Sequence, residues 1–255
     1  MSDRTPSSAA TSLLNPYVRR ARVLPGLILT LPVSLLAVVA IASKPAWWSA
    51  VASILGASGV TYLGAQVIRS FGQRVEPALW KSWGGAPTTQ LLRFKGSKNT
   101  TKVTRWHELL AKLMPDVHLP NADEESKDPE GADAAYETVV SVLIAKTRDT
   151  KKFARIFDEN CEYGYRRNLY SCRRFGYLSG IVSLLAIVGL ASAHAAGAIH
   201  LSVLGICFVA LADVVGLILL KWIVTPQWVH EAADAYASRL IESVEVLEPD
   251  KSKLD

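Results

Sequence analysis

The sequence predicts an all-α polytopic membrane protein: two transmembrane hairpins, a helical cytoplasmic insertion between them and a C-terminal cytoplasmic helix. Three observations predict it. Half of the 255 residues are hydrophobic and fall in long runs; 23–42 and 47–68 carry no Asp, Glu, Lys or Arg, and 175–220 carries only Asp213. About 20 apolar residues cross the ~30 Å hydrocarbon core as a helix. Lysines and arginines crowd one end of each run, and no polar stretch shows the period-two alternation of a strand.

Residues 1–22 form a cytoplasmic N-terminal segment holding Arg4, Arg19, Arg20 and Arg22. The first hairpin, 23–68, comprises spans 23–42 and 47–68, turned at SKPA (43–46). Ala40-Ile41-Ala42 resembles a signal-peptidase site, but the run before it exceeds an h-region of roughly 7–15 residues, and a second apolar run follows at once. The second hairpin, 175–224, comprises spans 175–194 and 201–224, turned near HAAGAIH (194–200). Arg69, Arg74 and Lys81 follow the second span, Arg166, Arg167, Arg173 and Arg174 precede the third, and the two turns hold only Lys44. Positive charge stays inside, so both termini and residues 69–174 are placed in the cytoplasm of a bacterial inner membrane. Trp47 and Trp48 suit an outer interfacial belt, and Trp222 and Trp228 an inner one.

Within 69–174, TKVTRWHELLAKLM (101–114) spaces Val103, Trp106, Leu109, Leu110 and Leu113 as a helix ended by Pro115. The polar, proline-bounded stretch 120–131 reads as a loop. Two further helical faces follow: Tyr136, Val139, Val140, Leu143 and Ile144, then Phe153, Ile156 and Phe157. The expectation is a small helical bundle on the membrane helices. Residues 225–255 form an amphipathic helix and tail, opened by Pro226. Val229, Ala233, Tyr236, Leu240 and Leu247 lie near a 4-3 spacing interrupted by Ser243. That seam fits either a coiled coil with another copy or packing on the chain's own bundle.

Asp213 is the sharpest functional feature. A carboxylate halfway along a span costs at least ~2.5–3.5 kcal/mol, so it faces a bundle interior or water. One reading makes it a pore or gating group together with Ser58, Thr61 and Gln66 of the second span; the other makes it a hydrogen-bond donor between helices. The second span is rich in small residues, and Gly176 and Gly180 mark the third, a pattern for close helix packing inside a chain or between chains. The stretch ENCEYGYRRNLYSCRRFG (159–176) sets Arg166/Arg173 and Arg167/Arg174 seven apart among tyrosines. It fits phosphate and base binding, or anchoring to anionic lipid. WGGAPTT (83–89) reads as a glycine turn and a helix start, with Thr88 or Thr89 as N-cap. Gly84, Gly85, Thr88, Thr89 and Arg93 then form a candidate anion site, or simply a turn at the membrane surface.

No lysine of a phosphate-binding loop follows those glycines, and there is no GxGxxG, HExxH, zinc spacing or serine-nucleophile motif. The five histidines are scattered, and the three cysteines suit a reducing compartment. The sequence gives no reason to expect an enzyme, a metal or a cofactor.

WGGAPTTQLLR (83–93) and DENCEYGYRRN (158–168), with the hairpin pattern, resemble a family of bacterial four-helix membrane proteins; the likeness covers roughly 80–176. In architecture the chain is similar to membrane effectors of anti-phage systems that answer a nucleotide signal, including the channel effector of Hailong systems. That resemblance implies a homo-oligomeric channel whose cytoplasmic part binds a nucleotide or oligonucleotide made by a partner nucleotidyltransferase. A membrane anchor or adaptor for a cytoplasmic partner, and a small transporter or lipid-binding envelope protein, are the rival readings.

Overall fold

The computed structural model describes residues 15–41 and 60–247, with side chains over 15–39 and 64–247. Among them every regular element is a helix. Three helices are long and apolar enough to cross a membrane: Pro16–Val39, Ala154–Ala195 and Val203–Trp222. They correspond to the first, third and fourth expected spans. The SKPA turn and most of the span 47–68 lie outside the described residues.

The chain divides into two units, Met1–Glu76 with Gly164–Val229, and Pro77–Tyr163 with His230–Asp255. In the first unit, helix α1 runs through Pro16–Val18, a π-helical stretch Arg19–Val23 and Leu24–Ile41. Helix α2, Val60–Trp83, begins in this unit and carries Pro77, which has no amide to donate along the helix. Helix α7 is Ala154–Ala195, and helix α8, Val203–Trp222, is N-capped by Ser202, whose hydroxyl accepts from the Gly205 amide.

Two expectations change. Helix α7 is unbroken over 42 residues, about 63 Å, or roughly twice the hydrocarbon thickness. The sequence reading begins the third span at 175, puts the arginine stretch 159–176 on a helix entering it, and treats the face of Phe153, Ile156 and Phe157 separately. Ile156 and Phe157 belong to the same helix. No proline lies between 154 and 195, so nothing stops the helix at the polar-to-apolar switch. Likewise α2 continues past 68 to Trp83.

The second unit holds α3 (Pro87–Leu92), α4 (Thr100–Leu113), α5 (Ala122–Lys127), α6 (Pro129–Lys146) and most of α9 (Pro226–Glu242), which ends in a 3₁₀ turn, Ser243–Val246. Most of the expected apolar faces form its core: Trp106 and Leu110 of α4, Tyr136, Val139 and Leu143 of α6, and Leu240 of α9 are buried together, joined by Ile241, whereas Ile144, expected on the α6 face, is exposed. The α9 seam therefore packs inside its own unit. The loop expected over 120–131 instead contains α5. Asn121 and Glu124 form a capping box there, satisfying amides that a six-residue helix would otherwise leave bare.

Candidate functional site

One face of α7 sets the geometry of the first unit. Gly164, Asn168, Cys172, Gly176, Gly180 and Ser183 recur every three or four residues and form a single stripe. Their small size brings neighbours close. A Cβ on Gly164 would stand 3.0 Å from the Ala21 Cβ of α1, one on Gly176 2.7 Å from Leu29, and one on Gly180 2.9 Å from Leu217 of α8. Gly176 and Gly180 thus pack within one chain. Asn168, fully buried, donates from Nδ2 to the carbonyl of Ala21 at 2.6 Å. Ala21 lies in the π-helical stretch of α1. Gly72 of α2 leaves room for the same asparagine, since a Cβ there would fall 1.8 Å from its Oδ1.

The arginines divide into two kinds. Arg167 is ion-paired with Glu76 of α2, and both side chains are largely buried. Arg166 donates to the carbonyl of Trp228 at 3.0 Å and lies 4.8 Å from that ring's centroid. These two hold helices in place. Arg173 and Arg174, with Arg74 of α2, instead line a cavity of about 550 Å³ shared with Phe71, Tyr170 and Phe175. Arg173 sits over the Tyr170 ring at 3.8 Å, and Phe71 meets Phe175 edge to face at 5.3 Å. Among the described residues, no carboxylate pairs with Arg74, Arg173 or Arg174. The site can accept phosphate oxygens from three guanidiniums beside aromatic faces.

Asp213 lies in the middle of α8, about 14–15 Å from either end at ~1.5 Å per residue. It is 1% exposed, and neither carboxylate oxygen has a partner among the described residues. It borders an apolar cavity of about 440 Å³ walled by α1, α7 and α8. Gln66, half-buried on α2, does not line that cavity. Ser58 lies outside the described residues, as does the side chain of Thr61.

The WGGAPTT corner belongs to the second unit. Gly84 and Gly85 have φ of 87° and 129°. The Gly85 amide donates to Trp80 at 2.8 Å and the Gly84 amide to Lys81 at 3.4 Å, the Schellman pattern that ends α2. Ala86 is extended, and Pro87 starts α3 because its fixed φ suits a first helical turn. Neither Thr88 nor Thr89 is the N-cap, a correction to the sequence reading: Ala86 takes that place without a side-chain bond, and Thr89 is buried. Arg93 closes the corner. It grips Asp133 with Nε at 2.7 Å and Nη2 at 2.5 Å, and donates to the Gly84 carbonyl at 2.7 Å. A Cβ on Gly85 would meet Arg93 Nη2 at 2.7 Å, so that position requires glycine twice over. The guanidinium is held protonated by Asp133, and its donors are turned toward its own unit.

Sequence reasoning found Asp213 and the arginine stretch but missed Asn168, Gly72, Glu76 and the part Arg74 plays in the cavity. One signal was present: Glu76 is the only acidic residue between Asp3 and Glu108. A lone carboxylate among so many arginines marks a specific pairing. Compared with known proteins, the chain matches no family model, no curated protein and no solved structure.

Proposed function

We propose that the chain is one subunit of a homo-oligomeric ion channel in a bacterial inner membrane, opened by a phosphate-bearing cytoplasmic ligand, a nucleotide or oligonucleotide, in anti-phage defence. In this reading 47–68 is a second span beside the three apolar helices, and both termini and 69–174 are cytoplasmic. Four spans from one chain leave little room for a conduit, so several copies close around an axis.

The observation that carries the proposal is the cavity lined by Arg74, Arg173 and Arg174 with Phe71, Tyr170 and Phe175. Three guanidiniums without carboxylates call for an anion, and the rings add stacking surface for a base. The cavity joins α2 to α7 just before the apolar part of α7. A ligand preferring one arrangement of these helices would therefore bias a gate. Asp213 is the gating carboxylate of this reading, because it faces the interior of a helix group.

The test is binding of cyclic nucleotides and short oligonucleotides to the purified full chain, followed by ion flux from proteoliposomes. Binding that weakens with salt, is lost in Arg74→Gln/Arg174→Gln and triggers flux is the expected result. No binding at low salt, or equal binding by the variant, would sink it. If the variant instead loses only its preference for vesicles containing anionic lipid, the phosphate belongs to a lipid headgroup.

A further inference from the structure

We infer that the Asp213 cavity is a binding site for a lipophilic organic cation, an ammonium or phosphonium centre carried on an apolar body. The inference does not depend on the channel reading.

The argument starts from the carboxylate. Asp213 is 1% exposed, and both its oxygens lack partners among the described residues. An ionised carboxylate taken out of water needs a counter-charge or hydrogen bonds, and a group left without either is strongly disfavoured. Among the described residues the cavity offers neither: Leu29 and Pro32 of α1, Leu169 of α7 and Leu217 of α8 form aliphatic walls. What adjoins the carboxylate is room. The cavity of about 440 Å³ lies in the range, roughly 300–1,000 Å³, of small-molecule sites. Gly216 borders it, and a Cβ there would meet nothing within 4 Å.

The walls select the occupant. Hard metal cations need about six oxygen ligands, and this cavity presents one carboxylate among hydrocarbon. An inorganic cation would lose its water without replacement, whereas an organic cation brings its own apolar surface. The cavity's far end fixes the orientation. Tyr165 and Trp228 stand there, with the Arg166 guanidinium over the Trp228 ring. That positive charge repels the cationic centre, so the centre goes to Asp213 and the apolar body extends along α8 past Leu220. The separation from Asp213 to Leu220 is about 10 Å at ~1.5 Å per residue.

The test uses two near-isosteric probes of opposite charge on the purified full chain in detergent. Tetraphenylphosphonium should bind saturably, and tetraphenylborate should not compete for its site. Asp213→Asn should weaken phosphonium binding at least about tenfold, since it removes the charge and keeps the shape. Gly216→Leu, which fills the cavity and leaves the charge, should weaken it comparably. Helicity and apparent Tm check that each variant is folded, and if Asp213→Asn does not fold, Gly216→Leu and the borate comparison decide. Absence of saturable phosphonium binding to the folded parent would overturn the inference, as would unchanged binding by the folded variants or equal competition by the borate. The two proposals fail separately: phosphonium binding without nucleotide-triggered flux overturns the channel alone, and the reverse overturns this site alone.

Discussion

In the second unit, buried polar groups meet partners inside the same unit, with the Thr89 hydroxyl as the exception among the described residues. Glu125, 5% exposed, accepts the amides of Phe94 and Lys95, both at 2.8 Å, and the Tyr136 hydroxyl at 2.7 Å. Arg93 closes on Asp133. His107 donates from Nε2 to the Leu92 carbonyl at 2.8 Å. The first unit pairs Arg167 with Glu76, but among the described residues it leaves Asp213 without a hydrogen-bond partner in its interior and Arg74, Arg173 and Arg174 without a carboxylate around a cavity. The contrast separates two uses of charge. Matched groups specify a fold, whereas unmatched ones lower stability and persist where something outside the chain can satisfy them. Changes to charge should therefore cost stability in the second unit and ligand affinity in the first, with the Arg167–Glu76 pair as the exception that tests the rule.

The largest effect is expected at Glu125. Glu125→Ala strands two backbone amides and a tyrosine hydroxyl, so it should destabilise by about 3–4 kcal/mol, each orphaned donor costing about 1 kcal/mol or more. Denaturant unfolding followed by Trp fluorescence reads it. A loss below about 1 kcal/mol would mean that water replaces the carboxylate easily and that the matched network is ornamental.

Next comes the exception. Arg167→Ala leaves Glu76 uncompensated between α2 and α7 and should cost about 3 kcal/mol. Arg167→Met/Glu76→Leu should recover at least half of that loss, because no lone charge is left behind. If the double variant is no more stable than the single, the pair is not what joins the two helices.

Legibility in the sequence follows the same division. Three of the four expected spans coincide with helices long and apolar enough to cross a membrane, because an apolar run is a sum over many residues and survives local error; most of 47–68 lies outside the described residues. The faces of α4, α6 and α9 were equally visible in their spacing. The continuity of α7 was legible in part: the arginine stretch reads as a helix entering the third span, but the switch from polar to apolar composition hides that Ile156 and Phe157 lie on the same helix. The short helix α5 was hidden inside an acidic loop signature, although Asn121 and Glu124 spelled a capping box. At the candidate sites, Asp213 and the arginines were conspicuous as residue types. Which arginines pair was not legible, because Glu76, Trp228 and Gly72 are brought to α7 by tertiary packing. WGGAPTT advertised a turn, and Gly84 and Gly85 make one; that Arg93 spends its donors on Asp133 and the Gly84 carbonyl was not legible, because Asp133 lies 40 residues away.

A smaller effect is expected from pH. Burial pushes the His107 imidazole below its usual value despite the carbonyl bond to Leu92. The folded state therefore favours neutral His107, while the unfolded chain takes up a proton near pH 6.5. Stability from this group is intact above about pH 6.5 and falls as the pH drops toward the lowered folded value, by at most about 1.4 kcal/mol per pH unit. His107→Gln should remove that dependence while costing some stability at pH 7.5. A parent and variant whose unfolding midpoints fall in parallel between pH 7 and 5 would show that another group controls the acid limb.

The smallest effect on stability is expected where the largest effect on binding is proposed. Arg74 and Arg174 have no carboxylate partner among the described residues, and both are exposed. Removing either takes away no ion pair and strands no buried group. It also relieves repulsion among three guanidiniums on one cavity, so Arg74→Gln and Arg174→Gln should each stay within about ±0.5 kcal/mol of the parent. Arg173→Gln should cost slightly more, because its stem and guanidinium pack on the Tyr170 ring at 3.8 Å. The informative measurement is the pair of numbers for each variant: apparent Tm in detergent, and affinity for a nucleotide probe at low salt. An unchanged Tm with lost affinity is the signature of charge kept for a ligand. A Tm loss matching that of Arg167→Ala would place these arginines in the framework and erase the difference between the units; no change in either quantity would leave the cavity with no role in recognition.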